Sequence, residues 1–185
     1  NLNILTAARL QFENLQEENI YLINELLKFK NSIIIINGVY NDPKNIFKFS
    51  NEKELFLDYF NKLSKNNNKI IFLSPIPIIT NPYNLGQGSM RLINLMKKNE
   101  IIEYKINKNT HIKNTEEFKQ FQNYIENKNE DVYFINLDDI FCDEIYCYSI
   151  KNGYLLLQDS LHQSGYTAKK INDIIIDKIS TLKSN

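Results

Sequence analysis

The chain has 185 residues, 43% of them hydrophobic and 12% aromatic, which is enough for one domain with a real core and excludes wholesale disorder. Its 22 Lys and Arg are balanced by 22 Asp and Glu, so the formal net charge is zero, and a nucleic-acid binder working through bulk positive charge is excluded. No apolar run approaches the ~18 residues of a membrane helix, and two Cys can make one bridge but not a disulfide scaffold.

Residues 15–30 place Leu15, Ile20, Ile23, Leu26 and Leu27 near helical spacing and predict an amphipathic helix, ended by Asn31-Ser32. Four β-branched residues follow, Ile33–Ile36, closed by Asn37-Gly38. A short apolar run between turn signals predicts a strand buried on both faces. Residues 52–64 read as a helix with Leu55, Phe56, Tyr59, Phe60 and Leu63 on one side. Asn66-Asn67-Asn68 breaks the pattern, and Lys69–Leu73 is a second buried strand, stopped by Pro75 and Pro77. Residues 78–114 are the least regular part, contain Gly86-Gln87-Gly88, and predict a flap or insertion. A helix over 115–127, a strand over Asp131–Leu137 and a last helix over 167–182 complete the chain. Ile171, Ile174, Ile175, Ile179 and Leu182 are expected on one face of that helix.

Strand–helix alternation with continuously apolar strands predicts a three-layer α/β/α fold, a mostly parallel sheet with helices on both faces. There is no internal repeat and no linker, so a single domain over residues 1–185 is expected. In such sheets the working site lies beyond the carboxyl ends of the strands. That rule selects residues 37–43, residues 74–82, and the region after Leu137.

Four segments can carry chemistry. The first is Gln158-Asp159-Ser160-Leu161-His162-Gln163-Ser164-Gly165, directly ahead of the last helix. Asp159 can accept a hydrogen bond from one nitrogen of His162 and fix its tautomer, leaving the other nitrogen to take a proton from a nucleophile. The plain alternative is a solvated loop in which Asp159 or Ser164 caps the helix. The second is Gly38-Val39-Tyr40-Asn41-Asp42-Pro43, where Gly38 allows close backbone approach and Asn41 can donate to an oxyanion. The alternative there is an ordinary turn. The third is Ser74-Pro75-Ile76-Pro77, given a shaping role. The fourth is Cys142-Asp143-Glu144-Ile145-Tyr146-Cys147, whose spacing permits a local disulfide in an oxidising compartment. Two buried thiols are the other reading, with a zinc site of both Cys, His111 and His162 as a lesser one.

The order of these segments resembles the SGNH/GDSL hydrolase superfamily, in particular the SGNH domains attached to bacterial membrane O-acyltransferases (acyltransferase family 3). The residues that carry the resemblance are Asp131–Ile140, Cys142, Cys147, the Lys151-Asn152-Gly153-Tyr154 hairpin and Asp159-Ser160-Leu161-His162-Gln163-Ser164. Pro75-Ile76-Pro77 falls where those domains carry a Pro-x-Pro after a strand. The resemblance implies a Ser-His-Asp enzyme without a cofactor, in which Asp159 orients His162 and His162 is the general base. It places Gly38 or Asn41 near the oxyanion-hole block, usually Gly-x-Asn-Asp, here longer by one residue. It implies a Cys142–Cys147 disulfide and a periplasmic or extracytoplasmic location, tethered by a membrane-embedded acyltransferase domain of the same protein. The partners it implies are an acyl donor and a glycan acceptor. The family's His-Leu-Ser is His162-Gln163-Ser164 here, and its Gly-Ala at the last helix is Thr167-Ala168. Its nucleophilic Ser belongs to a Gly-Asp-Ser motif after the first strand, and no Gly-Asp-Ser occurs in these 185 residues. Gly88-Ser89 and Ser74 follow the wrong strand for that role. The resemblance therefore predicts an SGNH/flavodoxin-like fold incomplete at the N-terminus, with the nucleophile upstream of Asn1. The competing expectation is a non-catalytic SGNH-like module that binds a glycan or a protein partner.

Overall fold

The computed structural model describes residues 3–7, 24–37, 41–42, 45–46, 49–79, 105–158 and 162–184. They fall into two compact units, one built from Asn1–Pro75 with Asn114–Asn136 and the other from Ile76–Lys113 with Leu137–Ser184.

The first unit is a parallel sheet with its helices. Strands β1 (Asn3–Ala7), β2 (Ser32–Ile36), β5 (Lys69–Leu73) and β7 (Val132–Ile135) lie in the order β1-β2-β5-β7, every neighbouring pair parallel. The α/β expectation is met, and for the reason given by composition. All five residues of β2 are buried, as are Ile70–Leu73 of β5, so these strands have no wet face to which polar residues could alternate. Strand β1 had no counterpart in the sequence reading. Asn-Ile-Leu-Thr-Ala lacks a long apolar run or bounding turn signals. It becomes a strand by pairing in register with β2, from Asn3↔Ser32 to Ala7↔Ile36. Between β2 and the helix that starts at Phe49, β3 (Asn41–Asp42) and β4 (Asn45–Ile46) form a small antiparallel pair.

Helix α1 (Phe49–Lys65) supplies Phe56, Phe60 and Leu63 to the core, at 3%, 2% and 1% exposure. Leu55, expected on the same side, is 39% exposed. One residue is about 100° of helical turn, which carries Leu55 off the buried stripe. A later helix, Glu116–Glu126, adds Phe118, Phe121 and Ile125. With Phe72 of β5 and Phe134 of β7 these rings form one cluster, with Phe72 5.3 Å from Phe134 and 5.9 Å from Phe121 between centroids. Offset and edge-on rings at such spacings add about 0.5–1.5 kcal/mol per pair beyond area burial. Of the helix predicted over 15–30, residues 24–26 are helical and put Leu26 in this core; residues 15–23 lie outside the described residues.

The Asn triplet is a structural device. Asn67 sits at φ +57° and Asn31 at φ +51°, the left-handed region that Asn tolerates. Asn68, fully buried, accepts from the Ser32 N–H and donates to the Phe29 and Leu63 carbonyls. It therefore ties the entry of β2 to the end of α1. The third strand is shorter than the predicted 131–137, because Asn136 is exposed and Leu137 already caps the next helical turn.

The second unit is assembled from short pieces. Strand β6 (Lys105–Asn107) pairs antiparallel with β8 (Tyr146–Tyr148). Helix α2 (Lys108–Asn114) follows β6; counting Glu116–Glu126 as α3, Asp138–Phe141 is α4. Strands β9 (Ile150–Lys151) and β10 (Tyr154–Leu155) make a hairpin whose two-residue turn, Asn152-Gly153, has φ +51° and +78°. That is the signature of a tight turn whose twist matches the strands. Helix α5 (Gly165–Ser184) buries Ile171, Ile175, Ile179 and Leu182. Ile174, expected with them, is 37% exposed, since it lies about 60° to the side of Ile171, away from Ile175. Within the predicted irregular region, residues 105–107 and 108–114 are β6 and α2; residues 80–104, including Gly86-Gln87-Gly88 and Ser89, lie outside the described residues.

Candidate functional site

Because β1, β2, β5 and β7 are parallel, their carboxyl ends share one edge of the sheet. The register runs Ala7↔Ile36, Ile36↔Phe72 and Leu73↔Ile135. Asn37, the first residue past β2, is exposed, and the segment it opens leads to the β3–β4 pair. Gly38 lies outside the described residues, and the backbone of Asn41 begins β3, paired with Ile46. Past β5, the Ser74 N–H extends the ladder to the Ile135 carbonyl at 2.9 Å, and Pro75 and Pro77 are both buried. Ser74 and the two prolines thus complete the strand end.

The two ends of the Asp-x-x-His segment meet at a defined neck. Leu157 and Gln163 form an antiparallel bridge, and the Gln158 N–H donates to the His162 carbonyl at 2.8 Å. Asp159 lies outside the described residues, together with Ser160 and Leu161, while His162 is exposed. One step below the neck, the Ser164 N–H donates to the Leu156 carbonyl at 2.9 Å, and the Ser164 hydroxyl donates to the Leu155 carbonyl. The same hydroxyl accepts the Thr167 N–H at 3.2 Å. Ser164 is therefore the N-cap of α5, one of the two capping options left open by the sequence. Tyr154 and Tyr166, both exposed, stack across the base of this loop at 4.6 Å and 11°.

Cys142 and Cys147 are joined by a disulfide, with S–S at 2.03 Å, and no free cysteine remains. The turn between them is organised by Asp143. One carboxylate oxygen accepts the N–H groups of Ile145 and Tyr146, at 2.8 and 2.7 Å, and the other accepts the Tyr148 hydroxyl. The Tyr148 hydroxyl, then those two N–H groups, hold the Asp143 pKa down from its ordinary 3.8 to about 2, with the Lys151 charge a smaller contribution. Lys108 donates to the Asp143 carbonyl at 2.9 Å and Lys151 to the Cys142 carbonyl at 3.0 Å.

Next to this turn lies a pair absent from the sequence reading. His111 Nε2 is 2.9 Å from Asp138 Oδ1, and the two residues are 2% and 14% exposed at their side chains. Twenty-seven positions separate them, and no motif spacing links them. The sequence offers no clear signal for it: in the Lys108–Asn114 turn the apolar Ile112 is 37% exposed while His111 is buried. The other histidine of the zinc alternative, His162, is exposed. Both cysteines are engaged in the disulfide, which removes the thiolates that a zinc site needs.

The parallel sheet with its helices puts the chain in the α/β class, an architecture that hosts many functions. Residues 9–177 match the model of the SGNH domain (fused to AT3 domains), and the chain belongs to that family. The family's activity is acyl transfer or ester hydrolysis, and its description couples the domain to an AT3 acyltransferase domain. No curated protein and no solved structure matches the chain. Among the described residues, no helix is long and apolar enough to cross a membrane.

Proposed function

We propose that this domain moves an acyl group, acetyl in the first instance, onto or off a cell-surface glycan by a Ser-His-Asp mechanism. His162 is the general base that takes the proton of the nucleophilic Ser and returns it to the leaving group, and Asp159 holds the imidazole in the required tautomer. Gly38 or Asn41 serves the oxyanion. The Ser belongs to a segment encoded ahead of Asn1, both units serve one domain over residues 1–185, and an AT3 membrane domain of the same protein tethers it in the periplasm and delivers the acyl group. The observation that supports this reading most is an exposed His162 at the neck of a loop whose helix-capping duty is already discharged by Ser164. The Cys142–Cys147 disulfide fits an oxidising compartment.

The test is a chain extended upstream until it includes the first Gly-Asp-Ser block, assayed for release of acetate from a chromogenic ester and for acetyl transfer to glycan. His162→Ala is expected to lower turnover by at least about 10³-fold while leaving glycan binding nearly unchanged. A full coding sequence with no Gly-Asp-Ser upstream would sink the enzymatic reading. The non-catalytic binding module would then replace it.

A further inference from the structure

The buried His111–Asp138 pair and the neighbouring disulfide have donor atoms that converge. His111 comes from α2, Asp138 from the first turn of α4, and Cys142 from the residue that caps α4. A ring nitrogen of His111, a carboxylate oxygen of Asp138 and Cys142 Sγ all lie within 4.8 Å of one another. His111 and Cys142 are 2% and 5% exposed. Zinc binds N, O and S donors at about 2.0–2.3 Å in a tetrahedron, which sets donor atoms about 3.3–3.7 Å apart. The three donors reach that spacing by shifts on the order of an ångström. In the oxidised chain they cannot bind: the Cys142 sulfur shares its bond with Cys147 and is no thiolate.

We propose that the Cys142–Cys147 disulfide closes a metal site, and that its reduction opens a zinc-binding centre made of His111, Asp138 and Cys142, with Cys147 as fourth ligand. A dithiol reductant supplies two electrons and two protons. The S–S bond breaks, two thiols form, and the reductant leaves as its own disulfide. Zinc(II) then replaces the hydrogen bond between His111 Nε2 and Asp138 Oδ1, with the ring kept neutral by carrying its one proton on Nδ1, and each cysteine that ligates gives up its thiol proton to solvent. In reverse, an oxidised dithiol takes two electrons from the two thiolates, their S–S bond forms, and the metal is released. Zinc and the oxidised fold therefore exclude each other, and the chain binds the metal only before oxidation or after reduction.

Cobalt(II) is the probe, because a thiolate ligand to it gives a charge-transfer absorption that oxygen and nitrogen ligands do not. Two forms are titrated, the anaerobically reduced chain and Cys147→Ser, which frees Cys142 without reductant. Both are expected to bind one cobalt with a thiolate band, displaced by zinc, while the oxidised chain shows no such band. Adding His111→Ala to Cys147→Ser is expected to weaken cobalt binding by at least about 100-fold, with far-UV circular dichroism unchanged. Equal binding with and without His111, the same thiolate band in the oxidised chain, or no thiolate band in either opened form overturns the proposal.

Discussion

Reducing the disulfide tests both the compartment and the architecture of the second unit. The two cysteines are five positions apart, so the cross-link closes a very short loop. In the chain-entropy account such a loop confines the unfolded state by only about 2 kcal/mol. Reduction, unlike substitution, leaves both sulfurs in the core, so no cavity contributes. The folded turn should survive it, because Asp143 accepts from Ile145, Tyr146 and Tyr148, and Lys108 and Lys151 hold the Asp143 and Cys142 carbonyls. The expected result is a loss of about 2 kcal/mol in urea unfolding, with native circular dichroism retained. Tyrosine fluorescence can follow it, since the chain has 11 Tyr and no Trp. Before reduction, alkylation under denaturing conditions should add no mass. A loss above about 4 kcal/mol would mean that the turn depends on the bond rather than on Asp143. No loss at all, or a mass shift before reduction, would remove the disulfide from the argument.

Asp143 also makes an acid-stability prediction. Its folded pKa, about 2, lies below its ordinary 3.8, so its contribution is fully present above that ordinary value and is lost as pH falls toward 2. Asp143→Asn should remove this acid-linked part of the decline, read from urea midpoints between pH 4 and pH 2. Asn68→Ala orphans the Ser32 N–H and removes the donations to the Phe29 and Leu63 carbonyls, the latter still accepting from the Asn66 N–H, and should cost about 1–3 kcal/mol. Asn68→Asp should be no better, because it keeps the acceptor but loses both donations. A cost below about 1 kcal/mol in the same urea assay would show that water replaces Asn68. Ser164→Ala removes the cap of α5 together with the bond to the Leu155 carbonyl. It should cost about 1–2 kcal/mol and raise amide exchange at Thr167 first.

Most of the fold was legible because its signals are local. Four consecutive Ile, Ile33–Ile36, are a buried strand wherever they pair, and Lys69–Leu73 and Asp131–Leu137 read the same way. The helix stripes through Phe56, Phe60 and Leu63, and through Ile171, Ile175 and Ile179, follow from 3.6-residue geometry alone. Only the stripe edges, Leu55 and Ile174, were misread, because periodicity does not say how wide a face the neighbouring layer covers. Strand β1 was missed for a related reason: Asn3–Ala7 has no pattern of its own and is a strand by virtue of β2 beside it.

The sequence by itself therefore determined the α/β class, the buried strands, and the Asp159–His162 and Cys142–Cys147 spacings, all set by neighbours within a few residues. Tertiary structure decided what depends on distant partners. Asn68 reaches Ser32 across 36 positions, and His111 meets Asp138 across 27. It also gave the cap of α5 to Ser164, whose hydroxyl is held by the Leu155 carbonyl nine residues away. A hydrogen bond between remote residues is favourable only after the chain has paid the loop-closure entropy that brings them together, and the packed core meets that cost. No pattern read along the chain contains that term.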